Sequence, residues 1–317
     1  DRNVTIGFEA GTAITTGGNN IAIGYQALKT EDEHGLNVAI GEEALENLNA
    51  GADGYNVAVG ALAGKSMTTG IRNVLIGGLA GDAFTDADDN IAIGTNALTL
   101  DTLGSNSVAV GHQALATQNF TTATDVYNVA VGYNAGVAVT TGTNNTLIGG
   151  LAGDALTDGD NNVAVGTSAL SAETRADRNV AIGSSALGAM NVGTDTDTYN
   201  VAVGCLAGAN VTTGVQNTLI GGLAGDALNT GYSNVAVGYQ SLSLDTKGAR
   251  NVGIGQFALA AQNFTTATVS YNVGVGFQAG SGITTGVENT LIGGLAGDAL
   301  TDADFNIAIG TYALTSD

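Results

Sequence analysis

The 317-residue chain contains no proline and no tryptophan, one cysteine, and only eight Lys plus Arg. Average usage would supply roughly 5% proline, so its complete absence points to a backbone in which nearly every N–H serves as a ladder donor. Cys205 alone cannot close an internal disulfide. The only two histidines, His34 and His112, give a catalytic triad or a metal cluster nothing to assemble from, and no cofactor is expected. Against the few cations stand 29 Asp plus Glu, a formal charge of -21 that repels phosphate backbones and excludes nucleic acid as a partner. The opening residues DRNVTIG carry no targeting signal, and no apolar run reaches membrane-spanning length. A soluble fragment of a longer fibrous protein is expected, with no membrane insertion by this segment.

What the chain does have is glycine, 49 residues of it, and an internal repeat. The pentad N-h-x-h-G, with h almost always β-branched, returns eighteen times, beginning at Asn3 and ending with Asn306. Successive pentads are 17 residues apart, except for one step of 19 after Asn37 and three of 21 after Ser107, Asn179 and Asn251. Asn56, Asn128, Asn200 and Asn272 stand 72 residues apart, each opening a block of four coils whose second member reads like NTLIGGLAGDAL, as at Asn145–Leu156. The pentad alternates as a short strand does, and its closing glycine suits a corner. Seven residues after the first pentad position comes Ala, or Ser241 in one copy, which suits a second packed strand. A coil this short cannot bury its own apolar face and must use its neighbours. The expected fold is all-β, a β-solenoid or parallel β-roll of about eighteen coils over residues 1–317.

Val and Ile at the second and fourth pentad positions are expected to stack into the core, and the first-position Asn to act either as a hydrogen-bonded ladder or as a turn residue. The middle position then faces outward. It is never charged, and its residues, among them Ala58, Leu75, Ala130, Leu147, Ala164, Ala202, Leu219 and Leu291, are the expected interface between chains. The four Leu fall only in the GGLAGDA coils, where extra glycine makes room.

Pentads such as Asn37-Val38-Ala39-Ile40-Gly41 resemble the head repeats of YadA-like trimeric autotransporter adhesins, and similar coils occur in phage tail-fibre proteins. The resemblance covers the whole chain. It implies a left-handed roll, three identical chains around an axis, and an extracellular place on a cell surface or virion. The coil is longer than the typical adhesin head coil, which leans towards the fibre type. A structural and adhesive segment is therefore expected, spacing and displaying loops to a host glycan or protein receptor. An enzyme acting on polysaccharide would want paired carboxylates on adjacent strands, whereas these columns hold Ala, Val, Ile and Gly, so no enzymatic activity is expected.

The longer steps are the natural place for specificity, because a solenoid tolerates insertions on one face. Receptor-loop candidates are Asn119, Phe120, Tyr127, Tyr199, Asn263, Phe264 and Tyr271. The tyrosines either stack on sugar rings or pack at the loop anchors. GGLAGDAL partly matches the repeat of calcium-binding rolls, with Asp86, Asp88, Asp158, Asp160, Asp302 and Asp304 as candidate oxygen ligands. The motif returns only every four coils, and the corresponding stretch at Asn229–Ser233 lacks such a pair, which favours solvated acidic turns. Gly253-Ile254-Gly255-Gln256-Phe257-Ala258 satisfies a dinucleotide fingerprint but sits on pentad columns with no βαβ unit around it.

Overall fold

In the computed structural model, which describes residues 2–316, every pentad becomes a three-residue strand, such as Val57–Val59 or Val201–Val203. The chain forms two compact units, Asp1–Gly159 and Asp160–Asp317, each built from nine such coils. Within each unit the pentad strands of successive coils pair in parallel without a register shift. Val57 pairs with Val38 and Val74, and Ala202 pairs with Ala181 and Leu219. One parallel pentad strand in every coil, stacked like on like, makes each unit a β-solenoid, and the described residues contain no helix. The closing pentad glycines all have positive φ, between 125° at Gly310 and 142° at Gly60. A Cβ on Gly94 would also lie 2.3 Å from the carbonyl oxygen of Gly111 in the next coil, so stacking and corner both require glycine there.

The Asn column is a ladder. Asn217 donates its N–H to Asn200 Oδ1 at 3.0 Å, its Oδ1 accepts the N–H of Asn234 at 3.0 Å, and its Nδ2 donates to the Gly231 carbonyl at 2.9 Å. Asn56, Asn73 and Asn90 repeat the pattern in the first unit. All of these amides are fully buried. Each therefore satisfies groups of the coils beside it that no water reaches.

The two faces of the strand are exchanged relative to expectation. Ala58, Leu75, Ala130, Leu147, Ala164, Ala202, Leu219 and Leu291 are at 0% exposure within the chain, so they line the core and cannot be a surface between chains. The flanking Val and Ile point outward, with Ile76, Ile148, Ile220 and Ile292 between 37% and 39% exposed. Alternation places the two sets on opposite faces but leaves open which one is inside. The width of the coil decides: where Gly274 has no side chain, a Cβ would already meet the Ala279 carbonyl oxygen and Leu259 Cγ at 2.9 Å. Only one small column fits so narrow an interior, and the pair of β-branched columns is left outside.

The far wall is not the second strand that the Ala column suggested. Residues six and eight positions after the pentad Asn adopt left-handed backbone, as at Gln26 and Leu28 (φ 55° and 47°), which turns the chain instead of extending it. Stacking still continues, with Leu28 N–H donating to the Ala44 carbonyl at 2.9 Å. Where the middle pentad residue is Leu, the wall position is Gly. Leu219 fits against Gly208 and Gly225, whose added Cβ atoms would lie 2.7 Å and 2.8 Å from its methyls. Extra glycine does make room for the larger side chain.

Removing one rung tests the ladder. Asn217→Ala leaves the Asn234 N–H and the Gly231 carbonyl buried without these partners, so a loss of about 2 kcal/mol or more is expected in chemical denaturation.

Candidate functional site

Two surfaces stand out. The first is the outer sheet face. In each unit it carries two columns of Val and Ile, interrupted only by Thr146 in the first unit and by Thr218 and Thr290 in the second. Among the described residues these side chains are half-buried to exposed, whereas the middle column between them is buried. A flat, uncharged, β-branched strip of this kind is unusual on a surface that meets water.

The second surface is the set of longer steps. Each 21-residue step adds a two-strand parallel pair: Gly104–Ser105 with Thr124–Asp125, Ala176–Asp177 with Thr196–Asp197, and Gly248–Ala249 with Thr268–Val269. Tyr127, Tyr199 and Tyr271 follow these strands, 55%, 49% and 48% exposed, all with left-handed backbone. Two of them are engaged by arginine. Arg178 lies over the Tyr199 ring at 5.8 Å and pairs with Asp197, while Arg250 donates to the Tyr271 hydroxyl at 2.7 Å. Asn119 and Asn263 are exposed, their Oδ1 atoms accepting the hydroxyls of Thr102 and Thr246. Phe120 and Phe264 are not available to a receptor. At 8% and 6% exposure they are turned into the protein as apolar anchors of their loops.

What fixes these loops is a set of residues that the sequence reading passed over. Glu31, Asp101, Glu173 and Asp245 are fully buried, and each lies six residues before the pentad that opens a longer step. Asp245 accepts the N–H of Gly248 in its own turn at 2.9 Å and, from the next coil, the N–H of Phe264 at 3.2 Å and the Gln262 amide at 2.5 Å. Asp101 repeats this with Gly104, Phe120 and Gln118. Glu173 accepts from Thr174, Arg175, Ala176 and, one coil on, Val192, and Glu31 from His34 and Ala50. Gln118 and Gln262 also accept from Asn128 and Asn272, joining the clamp to the Asn ladder. The sequence signal was an acid at constant distance ahead of every irregular step.

The candidate calcium ligands do not converge. Asp88 and Asp304 each accept a backbone N–H from the coil before, at Ile71 and Val287, both at 2.8 Å. Asp86 accepts the Thr69 hydroxyl, Asp158 that of Thr157 and Asp302 that of Thr301, while Asp160 donates its N–H to Asp177. Among the described residues one group of three metal-competent side chains does come together, Glu31, Asp32 and His34. That corrects the expectation that the histidines have nothing to assemble with. His112 stacks on Tyr133 at 5.5 Å, and Gly253 lies in the core column of strand Val252–Ile254.

In the GGLAGDAL coils burial pushes the carboxyls of Asp82, Asp154 and Asp226 up from the usual range. Thr99 relieves Asp82 with a hydrogen bond at 2.5 Å, but Asp154 and Asp226 each keep one sealed oxygen without a partner. Comparison with protein-family models, curated proteins and solved structures finds no match for the chain.

Two outcomes are expected here. Asp245→Ala strips the 263–268 loop of its clamp, so amide hydrogen exchange there accelerates and stability falls by about 1–3 kcal/mol, the cost of unsatisfied buried donors. For Asp226, the raised folded value means that the folded state holds the proton more tightly than the unfolded one, so stability is lost as pH rises through that value. Asp226→Asn therefore raises the melting temperature at neutral pH, and the gain vanishes in acid, below the ordinary carboxylate range of about 4.

Proposed function

We propose that this chain is a structural and adhesive segment of an extracellular homotrimeric fibre, of the phage tail-fibre or bacterial surface-adhesin kind, without enzymatic activity. One observation carries the reading: the half-buried to exposed Val and Ile strip on the outer sheet face. Burying that strip against identical strips takes its apolar surface out of water without any new chemistry. The number three, the left-handed winding and the surface location come from the resemblance of the pentads to adhesin and tail-fibre repeats. The longer steps, with their exposed tyrosines, are the places offered to a glycan or protein receptor, and repetition along identical chains supplies avidity to weak single contacts.

The test contrasts the two faces of the paired strands Val108–Val110 and Val129–Val131. Val110→Lys with Val131→Lys, on the outer face, is expected to give a folded monomer by light scattering and circular dichroism where the unaltered chain gives a trimer. Ala130→Asp, between them in sequence but inside the core, is expected to unfold the chain because it buries an unpaired charge. An unaltered chain that is monomeric at all concentrations would remove the proposal.

A further inference from the structure

One acid clamp differs from its three counterparts by two side chains. Aligned on the buried acid, Glu31-Asp32-Glu33-His34 stands where the others read Asp101-Thr102-Leu103-Gly104, Glu173-Thr174-Arg175-Ala176 and Asp245-Thr246-Lys247-Gly248. An imidazole thus occupies a column otherwise held by Gly or Ala, and a carboxylate one otherwise held by Thr. Their backbone is pinned. The His34 N–H donates to Glu31 Oε1 at 3.2 Å, the His34 carbonyl accepts from Asn20 Nδ2 at 3.1 Å, and the Asp32 carbonyl accepts the Thr15 N–H at 2.8 Å.

His34 Nδ1 is sealed from solvent and has no hydrogen-bond partner, although its ring is otherwise partly open. Glu31 Oε1 stands 3.7 Å from it, too far for a hydrogen bond. That gap fits an ion between the two: metal–nitrogen and metal–oxygen bonds of about 2.1 Å spanning it meet at an angle near 120°. One donor atom from each of Glu31, Asp32 and His34 lies within 4.8 Å of the others. An imidazole nitrogen with two carboxylate oxygens suits zinc and its neighbours better than calcium, which takes oxygen ligands alone.

We propose that Glu31, Asp32 and His34 form a binding site for a divalent transition-metal ion of the zinc class, with water completing the coordination. The site stands independently of the fibre reading, since it lies within one chain. It would cross-brace the turn that Glu31 already clamps to Ala50.

The experiment is calorimetric titration of the full, metal-stripped chain with Zn²⁺ at neutral pH, with excess Mg²⁺ present to occupy the diffuse acidic surface. One ion per chain is expected. His34→Ala should abolish that binding and Asp32→Asn weaken it by about tenfold or more, while His112→Ala leaves it unchanged. Glu31 is left intact because it holds the loop. Ring resonances of His34 in the unaltered chain should shift in proportion to added Zn²⁺ while those of His112 stay fixed, a readout that needs no variant. Absence of stoichiometric binding, binding that survives His34→Ala, or a His34 ring whose resonances ignore Zn²⁺ would each overturn the site.

Discussion

Each coil depends on its neighbours for the hydrogen bonds that it cannot make alone, and the Asn column is where that dependence is tightest. A buried amide such as Asn217 is at once acceptor for the next coil and donor to a carbonyl fourteen residues ahead. Everything else is arranged around keeping that contact in register. The pentad glycines let carbonyl and α-carbon approach more closely than any side chain allows, and the small inner column keeps the coil narrow. Leucines of the type of Leu28, such as Leu45, Leu98 and Leu115, are held in left-handed backbone and tolerated because stacked turns hold them there, at a cost of roughly 1–2 kcal/mol each in isolation.

Much of this was legible in the sequence. The pentad period located the strands, the invariant closing glycine located the corners, and the four Leu of the GGLAGDA coils pointed to compensating glycines, seen at Gly208 and Gly225 around Leu219. The direction in which the strand faces was not legible. Val-Ala-Val says that two residues oppose one, and intuition sends the two larger ones inward. The structure does the reverse because interior width, a property of the whole coil, outranks the hydrophobicity of single residues. The expectation of self-association outlives the exchange but moves from Ala130 and its column to Val129 and Val131.

The loops were located correctly and understood less well. Phe120 and Phe264 looked like contacts and are anchors, while Glu31, Asp101, Glu173 and Asp245 drew no notice and are the clamps. Burial of a carboxylate among backbone N–H groups leaves no trace in local composition, since an acid in a polar stretch reads as surface. Spacing is the only clue: each acid stands seven residues after a closing pentad glycine and six before the pentad that opens a longer step. The placement of Asp32 and His34 beside one clamp alone shows how a duplicated framework can acquire a private feature without disturbing its ladder.

The exchange of Leu and Gly between the two walls has a consequence for how such a chain avoids mistakes. A repeat of identical coils could pair each strand with the wrong neighbour at almost no penalty, and errors of this kind trap repeat proteins during folding. Here a slip by one coil would set Leu219 against a wall position held by leucine, as at Leu242, instead of glycine. Overpacking of that sort costs about 1–3 kcal/mol per site. The nearest alternative without a clash lies four coils away, where a long stretch of chain would have to be looped out to reach it. Fourfold variation in an otherwise uniform repeat thus acts as a set of address marks, letting each coil tell its own neighbour from its copies.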